Sequence, residues 1–116
     1  MKSITIYHNP RCRKSREALK ILQDNRINIV IVLYLETGLT KKIIKSLILA
    51  LKCSVRDLMR RGESEYKDNK LSNLALSEDY LIDCLIKFPK ILERPIVIKG
   101  DQGVIGRPPE NILKII

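Results

Sequence analysis

The first 35 residues constrain the fold most, because their apolar residues change period twice. The segment SITIY (3–7) is short, rich in β-branched residues and followed by HNP, so it predicts a buried strand. From Cys12 to about Asn25 the apolar residues recur with helical spacing. The run INIVIVLYL (27–35) is almost continuously apolar, which is typical of a strand covered on both faces. Strand, helix and strand in this short stretch predict a βαβ unit with parallel strands.

The rest of the chain predicts helices and then a hairpin. Thr40 and Ser54 are candidate N-caps of two helices, and a further helix begins at about Ser77. The segment PIVIKGDQGVIG predicts two short strands joined by a turn. The last segment, PPENILKII, predicts a helix with prolines in its first turn.

This order of elements predicts a thioredoxin-like α/β fold. It runs β-α-β, then a helical insertion at about residues 38–90, then β-β-α, with a mixed four-stranded sheet flanked by helices. We expect a single domain over residues 1–116, a length that suffices for one modest core.

The chain is strongly basic, with 22 Lys and Arg residues against 13 Asp and Glu and a net charge of +9. This charge suits anionic partners, although a general bias towards Lys and Ile in the composition would produce it too. Basic residues are spread over all segments and aromatic residues make up only 4%, so binding of nucleic acid is not favoured.

Membrane association and secretion are not predicted either. No apolar run reaches the ~18 residues of a membrane span, and no secretory signal pattern is visible. The three cysteines, at positions 12, 53 and 84, are an odd number at wide spacing, which fits a reducing compartment better than a disulfide framework. We therefore expect a cytoplasmic protein.

Cys12 is the candidate catalytic residue. It lies at the predicted turn from strand to helix, among four basic residues: Arg11, Arg13, Lys14 and Arg16. Unpaired N–H groups, the helix dipole and nearby positive charge lower a thiol pKa from about 8.5 to as low as ~3.5–7.5, and the thiolate is the nucleophile. The same features bind oxyanions.

Two neighbours are candidates to support this thiolate. Ser15 is within reach of donating a hydrogen bond to the sulfur, and His8, the only histidine, either tunes the thiolate or is structural. Cys53 and Cys84 fall on apolar patterns, and we expect both in the core or at its boundary.

Other cysteine sites are excluded by spacing. A redox dithiol of the form C-x-x-C needs a second Cys at position 15, which is Ser. A phosphatase-type loop, C-x5-R, needs Arg at position 18, which is Ala. No cluster of Cys and His with zinc spacing exists, so we expect no metal site. We expect no bound cofactor either.

Five motifs together carry a resemblance to a known family: IYHNPRCRKSREAL, LYLETGLT, SVRDLMR, ERPIV and IGRPPE. In order and spacing they resemble the ArsC-type, glutaredoxin-coupled arsenate reductases over nearly the whole chain. The resemblance implies that Cys12 attacks arsenate or a similar oxyanion, that glutathione is the co-substrate and leaves a mixed disulfide, and that glutaredoxin resolves it. It also implies that Arg60, Arg94 and Arg107 hold the oxyanion, with Arg61 an alternative to Arg60.

The resemblance leaves two alternatives open. Arg11, Arg13 and Lys14 depart from many arsenate reductases, so a homologue with another substrate is one. The other is a transcription-regulating binding protein, because the Spx-type regulators share this fold; their C-x-x-C sensor is absent here. A thioredoxin-like fold also places a cis-proline opposite the active cysteine, and we expect it at Arg94–Pro95.

Overall fold

The computed structural model describes residues 3–116 and divides them into two compact units. The sheet unit comprises the described residues up to Thr37 together with Arg94–Ile116. The helical unit is Gly38–Glu93. The grouping of the whole chain into a single domain stays a prediction.

Four strands form the sheet unit: β1 (Ile4–Tyr7), β2 (Ile29–Val32), β3 (Ile96–Lys99) and β4 (Gln102–Ile105). Their order in the sheet is β2-β1-β3-β4. Strand β1 runs parallel to β2 and antiparallel to β3, and β4 is antiparallel to β3. The predicted mixed sheet, with a βαβ unit followed by a hairpin, is therefore confirmed.

Helix α1 (Arg13–Asp24) connects β1 to β2 and supplies much of the core of this unit. The buried residues of that core are Ile4, Ile6, Ala18, Leu22, Val97 and Ile112. The last segment, Pro109–Lys114, packs against α1 as a 3₁₀ helix. The α-helix expected there is a tighter 3₁₀ helix, because its bonds span three residues, as from the Asn111 N–H to the Pro108 carbonyl.

The expectation that the second strand is covered on both faces is wrong. Strand β2 has only four residues, and the chain then turns into a short helix, α2 (Tyr34–Thr37). Val30 and Ile31 are 47% and 46% exposed. The reason is topological: β2 is an edge strand, and an apolar run does not distinguish an edge strand from a central one.

The helical unit contains three α-helices: α3 (Lys41–Leu51), α4 (Ser64–Asp68) and α5 (Glu78–Lys87). Two 3₁₀ turns, Val55–Leu58 and Pro89–Ile91, accompany them, and α5 contacts both turns and α3. Within residues 3–116 no helix has the length and apolar character needed to cross a membrane.

Two of the three predicted caps begin α-helices. Thr40 and Ser77 each accept a hydrogen bond, at 3.1 Å, from the N–H of the third residue of α3 and α5 respectively. Ser54 instead begins a 3₁₀ turn, where it forms a capping box with Asp57. Helix α4 was not expected, since Gly62 indicates a stop and α4 begins two residues later.

Gly106 holds the start of β3 close to the end of β4. Its N–H donates to the Pro95 carbonyl at 2.8 Å, and a Cβ at position 106 would lie 2.8 Å from Pro95 Cγ. The Arg94–Pro95 bond is cis, which confirms the prediction. The Arg107–Pro108 bond is cis as well, and this second one was not expected.

Gly106→Ala should destabilise the protein, because the added methyl group collides with the ring of Pro95. We expect a loss of about 1–3 kcal/mol in the free energy of unfolding, the usual cost of overpacking. Urea denaturation measures it. Gly62→Ala is the matched control, since a Cβ there meets nothing within 4 Å. Its effect should stay within about 0.5 kcal/mol, and equal losses in the two variants would contradict the steric explanation.

Candidate active site

Cys12 lies between β1 and α1 and is the N-cap residue of α1. Its backbone is extended, with φ −93° and ψ 122°. Its N–H donates to the Asn9 carbonyl at 3.0 Å, and its own carbonyl accepts from the Arg16 N–H at 3.0 Å. The half-buried side chain therefore sits at the helix N-terminus, where the dipole favours a negative charge.

A buried hydroxyl ties this loop to the first turn of α1. Ser15 is fully buried, and its Oγ lies 2.7 Å from His8 Nδ1 and accepts a hydrogen bond from the Asn9 N–H at 3.1 Å. The hydroxyl thus faces His8 and Asn9. The bond that Ser15 was expected to donate to the Cys12 sulfur comes from its backbone N–H.

Asn9, which is not among the residues predicted above, is the centre of the loop. It is only 7% exposed. Its Oδ1 accepts from the Arg11 N–H at 3.0 Å, its N–H bonds to Ser15, and its carbonyl accepts from Cys12. The available signal was the pair Asn-Pro directly after a strand, which favours a turn closed by the Asn side chain.

The pKa of Cys12 lies below that of an ordinary cysteine thiol. Burial is the strongest single influence and raises the pKa, but the groups that stabilise the thiolate together outweigh it. These are the Ser15 N–H, the hydrogen bond and positive charge of Arg94, and the Lys14 N–H. The site therefore favours the nucleophilic form of the sulfur.

His8 stabilises the loop through a hydrogen bond and does not supply positive charge to the Cys12 thiolate. It is 5% exposed, and its pKa is lowered, first by burial and then by the positive charge of Arg16. The imidazole is therefore neutral at neutral pH and acts on the loop through its hydrogen bond with Ser15.

The structure places two of the three predicted oxyanion-binding arginines in the sheet unit. Arg94 is half-buried, and its guanidinium interacts with Cys12. Arg107 is exposed, and its side chain has no ion pair or hydrogen bond with any of residues 3–116. Arg94 thus interacts with Cys12. The Arg107 guanidinium is not neutralised by any carboxylate of residues 3–116.

Arg60 belongs to the helical unit, where two carboxylates neutralise it. A β-bridge between Met59 and Leu92 holds the backbone of this segment. Arg60 Nε lies 3.6 Å from a Glu93 carboxylate oxygen, and its Nη1 lies 3.9 Å from one of Glu63. The role of Arg60 in holding an oxyanion stays a prediction, and so does the alternative, the neighbouring exposed Arg61.

The other two thiols have the opposite character. All three cysteines are free, Cys84 is buried and Cys53 is half-buried. Burial raises the pKa of both, and the nearby carboxylates of Asp57 and Asp83 add to the rise at Cys53 and Cys84 respectively. No group of His, Cys, Asp and Glu side chains in the described part of the chain is arranged to hold a metal ion.

Known proteins resemble this chain over almost its full length. A family model described as the ArsC family matches residues 7–115. The uncharacterized protein YfgD of Escherichia coli is 45% identical, with coverage of 99% of this chain and 98% of the relative. An arsenate reductase of Haemophilus influenzae is 42% identical, covering 98% and 99%. A solved structure, the arsenate reductase from Vibrio cholerae, superposes with a TM-score of 0.96 at 41% identity, covering 99% and 98%.

The pH dependence of alkylation should reveal the lowered pKa of Cys12. The rate with iodoacetamide should rise with pH through a midpoint below that of a free cysteine thiol, because only the thiolate reacts. Arg94→Gln should move this midpoint to higher pH, since it removes both a hydrogen bond and a positive charge from the thiolate. Mass spectrometry of the peptide that contains Cys12 measures the alkylation rate of this residue separately from alkylation of Cys53 and Cys84.

Arg107→Gln is the control for this shift, because Arg107 is also a predicted oxyanion-binding arginine but its charge does not act on the Cys12 pKa. Its midpoint should equal that of the wild type. Equal shifts in both variants would mean that general positive charge, and not contact with Arg94, lowers the pKa.

Proposed function

The chain belongs to the ArsC family, and we propose that it is an arsenate reductase in which Cys12 is the nucleophile. The observation that carries this proposal is the surroundings of Cys12. Two backbone N–H groups and the Arg94 guanidinium converge on one sulfur and lower its pKa. Donors arranged in this way stabilise a thiolate before the reaction and suit an oxyanion bonded to that sulfur during it.

The first step forms a bond between Cys12 and arsenic. The thiolate attacks the arsenic of arsenate, a sulfur–arsenic bond forms, and one arsenate oxygen leaves as water after taking up protons. Arsenic remains pentavalent in this adduct. Arg94 stays close to the sulfur and neutralises the negative charge of the oxygens, as the paired donors of a guanidinium do for tetrahedral oxyanions.

The second step reduces the arsenic. The thiol of glutathione attacks the Cys12 sulfur, the sulfur–arsenic bond breaks, and its electron pair stays on arsenic, which leaves as arsenite. Arsenic gains two electrons, and the two sulfurs lose them and form a mixed disulfide. Glutaredoxin then releases glutathione from Cys12 by thiol–disulfide exchange. These reductants are abundant in the cytoplasm, where we expect the protein to act.

We infer that an external thiol is needed, because no second cysteine lies near Cys12 in the sequence. A Ser occupies position 15, where a dithiol motif has its second Cys, and its hydroxyl is bonded to His8 and Asn9. Cys53 and Cys84 have raised pKa values and are poor nucleophiles. The regulator alternative is not favoured, since relatives that cover nearly the whole chain are named arsenate reductases.

The proposal is tested by arsenate reduction with glutathione and glutaredoxin. Cys12→Ser should reduce activity to background, because a hydroxyl cannot form the mixed disulfide. Cys53→Ser and Cys84→Ser should each keep more than about half of the activity if they lie outside the chemistry. Mass spectrometry after arsenate and glutathione should find glutathione on Cys12.

Two results would refute this scheme. One is loss of activity from Cys84→Ser equal to that from Cys12→Ser in a variant that remains folded by circular dichroism. The other is an internal disulfide of Cys12 with turnover supported by thioredoxin alone, which would replace glutathione as the resolving thiol.

The predicted role of Arg60 in binding the oxyanion can be tested separately, because Arg60 forms ion pairs with two carboxylates of the helical unit. Glu63→Gln removes one of them and should lower the KM for arsenate about two- to fivefold, the scale of one partly exposed ion pair. Glu65→Gln, two residues further on in α4, is the matched control, since its carboxylate contacts Ser64 and forms no ion pair with Arg60. An unchanged KM in Glu63→Gln would remove Arg60 from the oxyanion site.

A further inference from the structure

Four basic residues surround Cys12, and three of them have partners for their side chains. Arg13 Nε lies 3.1 Å from a Glu17 carboxylate oxygen, and Lys14 Nζ lies 3.8 Å from the other. Arg16 Nη1 donates to the Pro10 carbonyl at 2.9 Å. These three charges are therefore engaged with the chain itself.

Arg11 is the exception. Its side chain is exposed, and it has no ion pair or hydrogen bond with any side chain or backbone group of residues 3–116. The thiolate does not depend on Arg11 either: the charge that lowers the pKa of Cys12 is that of Arg94. The Arg11 guanidinium thus has no assigned role in the resting protein, although it belongs to the residue directly before the nucleophile.

The backbone of Arg11 is nevertheless held in place. Its N–H donates to Asn9 Oδ1 at 3.0 Å, and the next N–H, that of Cys12, donates to the Asn9 carbonyl at 3.0 Å. Asn9 is itself almost fully buried. A long side chain with a charged end therefore projects into solvent from a fixed point beside the sulfur.

We propose that Arg11 binds a carboxylate of the anionic thiol that reacts at Cys12 and so selects this second substrate by charge. This inference rests on the proposed function, in which that thiol is glutathione. Arsenate bonds to the sulfur and needs donors that contact the sulfur, as Arg94 does. A thiol peptide carries its carboxylates several bonds from its own sulfur, so the matching cation must lie beside the nucleophile and reach outwards, as Arg11 does.

The experiment uses disulfides, because their reaction with Cys12 requires no arsenate. The Cys12 thiolate attacks one sulfur of oxidised glutathione, the mixed disulfide forms, and one glutathione thiolate leaves. Bis(2-hydroxyethyl) disulfide undergoes the same exchange without charge. The ratio of the two rate constants measures the selection for an anionic thiol, and mass spectrometry of the Cys12 peptide follows both reactions.

Arg11→Gln should lower this ratio about three- to fivefold, the upper scale of one exposed ion pair, and should leave the rate with the neutral disulfide unchanged. Added salt should lower the ratio of the wild type towards that of the variant. Arg13→Gln is the matched control, because Arg13 follows Cys12 directly and is also exposed but is paired with Glu17. Its ratio should stay within about twofold of the wild type.

Two outcomes would overturn the proposal. An unchanged ratio in Arg11→Gln would show that Arg11 does not bind the carboxylate. Equal decreases in Arg11→Gln and Arg13→Gln would assign the selection to the overall positive charge of the protein. A wild type that selects the anionic disulfide through Arg11 but does not reduce arsenate would refute the proposed function and leave this inference standing.

Discussion

The site depends on one buried hydroxyl. Ser15 Oγ contacts His8 Nδ1 and the Asn9 N–H, and these contacts join the end of β1, the loop and the first turn of α1. The Ser15 N–H, one of the unpaired donors in the first turn of α1, stabilises the Cys12 thiolate. Ser15 therefore contributes in two ways: its hydroxyl holds the loop, and its backbone N–H stabilises the thiolate. The burial of His8 explains why its imidazole is neutral, because a charged imidazole would lose its hydration. The positive charge of Arg16 disfavours the charged form further.

The periodicity of the sequence sufficed to predict the sheet, because the strands and α1 carry their apolar residues at unambiguous spacing. It did not suffice for β2 or for the segment after Ser54. Whether an apolar strand such as Ile29–Val32 lies at an edge depends on which strands pair with β1, and pairing is not a local property. Short elements such as Ser64–Asp68 have too few turns to show a period.

At the candidate site, Cys12 could be singled out from the sequence, whereas most of the groups that contact it could not. A cysteine directly before a helix and beside arginines is expected to have a lowered pKa, because the helix dipole and the positive charges favour the thiolate. The interaction of Arg94 with Cys12 required the fold, since 81 residues separate them in the sequence and only the β1–β3 pairing brings their strands together. Asn9 was missed because two of its three hydrogen bonds involve its backbone, and the Asn-Pro pair indicates only the turn and not these bonds.

The presence of Ser at position 15 also affects how Cys12 responds to oxidation. A thiol with a lowered pKa is the one that peroxides oxidise first, to a sulfenic acid. In a C-x-x-C protein the neighbouring sulfur condenses with that sulfenic acid and prevents further oxidation, but here position 15 supplies an oxygen that is already bonded to His8. Protection of Cys12 from irreversible oxidation to sulfinic acid therefore depends on small thiols in solution, which condense with the sulfenic acid before further oxidation.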